Sequence, residues 1–138
     1  MPSSFHFEST CFSNAACTVV CSSAGYVRLN WTAAVASTFA LQQVYEQTTL
    51  AMQRLGLNKI LSNHAHRRPI SAEMQQWLAE VWVPKAIHDA NYGYCAIVES
   101  EEALTRLAVR AVGTVVGKQI SFRYFNTVAE AEEWLTAQ

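Results

Sequence analysis

The sequence predicts a single α/β domain built on a mainly parallel sheet, with an antiparallel hairpin at its N-terminal side. Three observations carry this reading. Short β-branched or aromatic runs alternate with amphipathic helical stretches from Ser37 onward. Each helical stretch is long enough to act as a right-handed crossover that returns the chain to the same side of a sheet. The first two runs, by contrast, are separated only by Ser23, Ala24 and Gly25, which reads as a hairpin. The predicted order is β-β-α-β-α-β-α-β-α, with no internal repeat, linker or low-complexity tract. Residues 1–14 are read as an N-terminal extension and residues 15–138 as the domain.

Taken in order, the first strand is Ala15 to Ser22 and the second Tyr26 to Trp31, where Val27, Leu29 and Trp31 alternate with Tyr26, Arg28 and Asn30. Ser37 or Thr38 caps a helix to about Leu55, and Gly56 supplies its left-handed end. Lys59 to Ser62 form a short buried strand. Ser71 caps the next helix, with Glu73 in the first turn and Met74, Trp77, Leu78 and Val81 as its inner stripe. Pro84 removes a backbone donor and predicts a kink or break near Trp82 before a continuation to Ala90. Tyr94 to Val98 read as a central strand. Ser100 caps a helix whose predicted core stripe is Leu104, Leu107, Ala108, Ala111, Val112 and Val115, with Glu102 and Arg106 paired outside and late fraying at Gly113 and Gly117. Ile120 to Phe125 form the last strand, and Thr127 with Glu130 makes a capping box for a final helix through Leu135.

At 138 residues the chain is long enough for a core without disulfide or metal staples. Hydrophobic residues make up 51% and charged residues 15%, an apolar excess that points to a partner, here a second copy of the chain or another protein. The net charge of -1 supplies no field to attract nucleic acid. No apolar stretch reaches the roughly 18 to 20 residues of a membrane span. The N-terminus lacks a basic segment followed by an apolar one, so no secretory signal is read and the cytoplasm is the expected compartment. Cys11, Cys17, Cys21 and Cys95 form no CxxC pair, and free thiols are expected. Cys17 and Cys21 on one strand would lie about 13 Å apart, too far to bridge.

In this order of elements the chain resembles a small bacterial group with the SpoIIAA-like fold, described as STAS or SEC14-like domain proteins. The resemblance rests on a strand ending in Trp31, a long helix, and the strand Lys59 to Asn63. It continues through Pro69, Ile70, Ser71, Glu73 and Trp77, then Trp82-Val83-Pro84, the strand YCAIV, and Arg123 to Leu135. It implies the fold and a non-enzymatic interaction or regulatory role, and no general chemistry. The phosphorylatable Asp-Ser-x-Gly turn of STAS-type antagonists is absent, since Ser62-Asn63 stand there without the aspartate or the glycine.

Two places stand out as candidate sites. His64, His66, Arg67 and Arg68 lie in the loop 63–71, between a strand's carboxyl end and a helix N-terminus, where open α/β sheets bind ligands. There the arginines would clamp a small anionic or amphipathic ligand, with Ser71 and the following turn completing the site. The alternative is a solvated loop. No Asp, Glu or Cys stands close by to complete a metal site, and no cofactor motif occurs. Ser62, Ser71 or Cys95 with a histidine are nucleophile and base only on paper. The second place is Trp82, Val83 and Pro84, read either as core or as an exposed apolar ridge for self-association.

Overall fold

The computed structural model describes residues 7–138. Its strands are β1 (Glu8–Ser13), β2 (Cys17–Ser22), β3 (Tyr26–Trp31), β4 (Lys59–Asn63), β5 (Tyr94–Val98) and β6 (Ser121–Phe125). The helices are α1 (Thr38–Leu55), α2 (Ala72–Trp77), α3 (Val83–Ala90), α4 (Ala103–Val116) and α5 (Val128–Thr136). The six strands lie side by side in sequence order, β1 to β3 antiparallel and β3 to β6 parallel. Among the described residues no helix is long and apolar enough to cross a membrane.

Sequential strand order with right-handed crossovers places every connecting helix on one face of the sheet. The larger core lies there, where Val27, Leu29 and Trp31 of β3, Ile60 of β4, and Cys95 and Ile97 of β5 meet α1, α2, α3 and α4. Residues of opposite parity, Tyr26, Leu61, Ala96 and Val98, form a smaller core with Ala131 and Leu135 of α5. α5 is not one of the crossovers that join the described parallel strands, and it packs on the second face. The Tyr26 hydroxyl holds it there through Glu132, and Trp134 stacks between Tyr94 and Phe125.

β1 lies inside the predicted 1–14 extension and adds a sixth strand to the predicted order; residues 1–6 lie outside the described residues. It is a mostly exposed edge strand with little core to bury, and so shows no strong alternation in sequence. It pairs with β2 through an irregularity between Thr10 and Phe12. Arg28 of β3 reaches past β2 to grip Glu8 at 2.6 and 2.7 Å. Cys11 is disulfide-bonded to Cys21 with Cα atoms 6.2 Å apart, which corrects the expectation of free thiols; Cys17 and Cys95 are free and buried. The pairing was hidden because the strand carrying Cys11 was not expected.

The Pro84 region bends without breaking. Leu78–Trp82 form one π-helical turn joining α2 to α3, with the Val83 N–H bonded to the Leu78 carbonyl. An i to i+5 turn uses one residue more than an α-turn, so residues beyond it step back around the axis. That rotation brings Trp82, Val83 and Ala86 inward and leaves Val81 exposed. Of the two readings of these residues the burial fits the core: Trp82 is 4% and Val83 2% exposed, and Pro84 is half-buried. The indole of Trp82 bonds the Tyr45 carbonyl and the Thr49 hydroxyl at 2.9 and 3.0 Å.

α4 also corrects its predicted stripe. Thr105, Ala108, Val109, Val112, Gly113 and Val116 face the core, while Leu104, Leu107, Ala111 and Val115 face out. The helix starts at Ala103, later than expected, because Ser100 caps the preceding turn by accepting from the Glu102 N–H. Arg106 bonds the carbonyls of Ser100 and Glu101 at 3.1 and 2.6 Å rather than the Glu102 carboxylate expected to pair with it. Gly113 does not mark fraying. A β-carbon there would stand 2.2 Å from the Tyr124 hydroxyl of β6, so the glycine lets that ring pass beneath the helix.

Gly113→Ala, a change that helix propensity favours by about 1 kcal/mol, is accordingly expected to destabilise the protein by about 1 kcal/mol or more through overpacking. In a Tyr124→Phe background the same change should turn neutral or stabilising. Urea denaturation of the four proteins reads the sign directly, and an equal effect in both backgrounds would mean that the close approach does not govern the site.

Candidate functional site

The site forms where the carboxyl ends of β3 and β4 meet α1. Strand parity puts Ser62 on the same face as Ile60, so one hydroxyl enters an otherwise apolar surface. The His64 N–H continues the pairing to the Val98 carbonyl at 2.8 Å, and the Arg67 N–H closes a turn on the His64 carbonyl at 3.0 Å. That turn carries the Arg67 side chain back into the protein. α4 holds it there, the Thr105 hydroxyl donating to the Arg67 carbonyl at 3.2 Å.

A continuous chain of polar contacts follows. The Trp31 indole donates to Ser62 Oγ at 3.0 Å, Ser62 Oγ lies 2.7 Å from His64 Nε2, and Arg67 Nη1 lies 3.2 Å from the same nitrogen. Arg67 Nη2 donates to the Tyr45 hydroxyl at 2.8 Å. A guanidinium only donates, so Nε2 must carry the lone pair; Ser62 then donates its proton to it, and the ring hydrogen sits on Nδ1. Burial, reinforced by the neighbouring Arg67 charge, holds the His64 pKa well below its ordinary value of 6.5. Tyr45 accepts from Arg67 and keeps its own proton, burial raising its pKa more than Arg67 lowers it.

Arg67 is the anomaly of this site. It is 4% exposed, and among the described residues no carboxylate forms an ion pair with it. Its Nε is buried and has no hydrogen-bond partner. The guanidinium stacks on Trp31, 3.8 Å from the ring centroid. Such a contact returns about 2 kcal/mol when desolvated, whereas an ion removed from water costs several kcal/mol. The arrangement leaves a buried cation with an unfilled donor edge.

Arg67 lines an inner cavity and an outer groove on the helix-facing side of the sheet. The inner cavity, of about 50 Å³, lies between sheet and helices, with Leu29, Ile60, Val109 and Val112 among its apolar walls and Tyr45, Ser62, His64 and Arg67 as its polar side. The outer groove, of about 120 Å³, is lined by Trp31, Val35, Leu41, Arg67, Arg68 and Ile70.

The structure thus divides the loop that the sequence singled out. His64 and Arg67 turn inward, whereas His66, Arg68 and Ser71 are exposed. Arg68 lines the outer groove, and His66 lies on a different surface beside Glu99 and Glu101. Ser71 stands apart from Arg67 and His64: its hydroxyl accepts from the Met74 N–H at 3.1 Å as a helix cap. Trp31, Tyr45 and Ser62 were not expected in the site. Each reads as core by position, and the available cue was that their polar ends needed partners on the helix-facing side of the sheet.

Ser62 and His64 have the spacing of a nucleophile and its base. The adjacent Arg67 charge opposes protonation of His64, however, so the ring is poorly suited to take the serine proton. Cys95 lines the inner cavity, but burial pushes its thiol up to about 12, far from a reactive thiolate. Among the described residues no three His, Cys, Asp or Glu side chains come together as metal ligands. Compared with family models, curated proteins and solved structures, the chain matches none.

The neutral His64 sets a pH dependence. Its folded pKa lies below its unfolded value of 6.5, so the unfolded state takes up the proton first. Stability is then full above about pH 6.5 and falls below it by about 1.4 kcal/mol per pH unit until the folded pKa is reached. His64→Gln should remove this part of the slope, measured as unfolding free energy between pH 7.5 and 5; an unchanged slope would place the titration elsewhere.

Proposed function

We propose that the chain is a non-enzymatic binding module for a small organic anion, seated on Arg67. The observation that carries this reading is the buried Arg67 Nε, which has no acceptor among the described residues. A ligand carboxylate there would accept from the Nε edge of the guanidinium and from the Tyr45 hydroxyl, and would neutralise the charge without displacing the contacts to His64. Occupancy would also stabilise the turn from His64 to Arg67, because a ligand that binds only the folded state adds its binding energy to folding. That gives a regulatory module a means of reporting on a metabolite.

Arg67→Gln is expected to abolish the rise in melting temperature that millimolar propionate produces in the wild-type protein, while Arg68→Gln, at the exposed neighbour, keeps it within about threefold in affinity. Absence of any carboxylate-dependent shift in the wild type, or its persistence in Arg67→Gln, would overturn the reading.

A second reading, a SpoIIAA-like interaction module that pairs with a copy of itself, is favoured by α4. Its outward residues Leu104, Leu107 and Val115 are 66%, 66% and 61% exposed beside β6, which among the described residues is an edge of the sheet. Two copies related by a two-fold axis would pair β6 with β6 antiparallel and lay α4 on α4. The assignment to that fold is supported by the order of helices and parallel strands. The cytoplasmic placement belongs to the same reading, and the Cys11–Cys21 disulfide speaks against it, since such bonds persist mainly in oxidising compartments. Sedimentation equilibrium should show a dimer that Leu107→Glu dissociates; a monomer at every concentration would set pairing aside.

A further inference from the structure

We infer that the anion is a short-chain aliphatic monocarboxylate, its head on Arg67 and its hydrocarbon tail in the inner cavity. The inference rests on the reading of Arg67 as an anion site and adds the class of ligand.

Charge selects a single negative charge. The site holds one buried cation, because Arg68 is exposed and His64 is kept neutral by burial and by Arg67. A phosphate, which carries more than one negative charge near neutral pH and offers more acceptor oxygens, would be left undercompensated in apolar surroundings. A carboxylate matches both the charge and the planar donor edge.

Shape selects the tail. Away from its polar side the inner cavity is walled by residues such as Leu29, Ile60, Val109 and Val112, which offer a ligand no side-chain hydrogen bonds. Walls of this kind suit an apolar guest rather than water. Its volume of about 50 Å³ has room for roughly four water-sized groups. The tail is therefore a few carbons long. Arg67 and Ile70 line both the inner cavity and the outer groove, so the two lie side by side and the groove would serve as the route of access.

The experiment is a calorimetric titration of the intact protein with acetate, propionate, butyrate, hexanoate and octanoate, and with inorganic phosphate, repeated on Val112→Ala and Arg67→Gln. Affinity should rise about fourfold with each methylene up to propionate or butyrate, as expected for burial of a CH₂ group, and fall at least tenfold by octanoate. Val112→Ala, which enlarges the cavity, should move the maximum to a longer chain. Phosphate should bind at least tenfold more weakly than propionate.

Affinity that is flat with chain length, highest for octanoate, or comparable for phosphate, yet lost in Arg67→Gln, would overturn the short-chain inference and leave the anion site standing. A maximum that stays put in Val112→Ala would also overturn it. No binding of any carboxylate, or equal binding by Arg67→Gln, would remove both.

Discussion

Strands laid down in sequence order and joined by right-handed crossovers leave the helices no choice of face, and much else follows from that constraint. α1, the bent rod of α2 and α3, and α4 are driven onto one side, so the helix-facing residues of β3, β4 and β5 are covered completely. The loop leaving β4 must then run between α1 and α4, which buries one arginine of an adjacent pair and leaves the other in water. α5 joins no two strands of the described sheet and lies outside that constraint, and with it the second face of the sheet forms its own small core.

Within that layer, Arg67 is where the energetics are least settled by the protein itself. Its contacts to Tyr45 and His64 use one hydrogen on each terminal nitrogen, and the Trp31 ring returns part of the desolvation. What is missing is a negative charge. Proteins usually supply one when a guanidinium is this deeply buried, because the cost of an uncompensated ion exceeds what stacking returns. The chain from Trp31 through Ser62 to His64 shows the same bias: Ser62 and Arg67 both donate to the imidazole, and burial with the Arg67 charge keeps it unprotonated. An arrangement that suppresses proton uptake suits recognition of an anion better than acid–base chemistry.

Alternation and capping are local, and they were legible. β3 and β5 fall at the residues where the runs YVRLNW and YCAIV stand, Ser37 and Thr127 cap their helices, and Gly56 ends α1 in the left-handed conformation. The misses share a cause. β1 is an edge strand whose pairing, not its burial, holds it, so its sequence alternates weakly. The stripe of α4 contains enough small and apolar residues on two sides that periodicity alone could not orient it. The π-turn at Leu78–Trp82 altered the helical repeat, and with it the direction of Trp82 and Val83.

The sequence by itself determined the class of fold, most element boundaries after residue 15, and the loop in which the candidate site lies, because spacing and caps act over a few neighbouring residues. Only the tertiary structure decided that Arg67 rather than Arg68 points inward, that Trp31, Tyr45 and Ser62 join it, and that Cys11 meets Cys21. Those outcomes depend on which surfaces far apart in the chain come to lie against one another, and on the cost of a charge once they do.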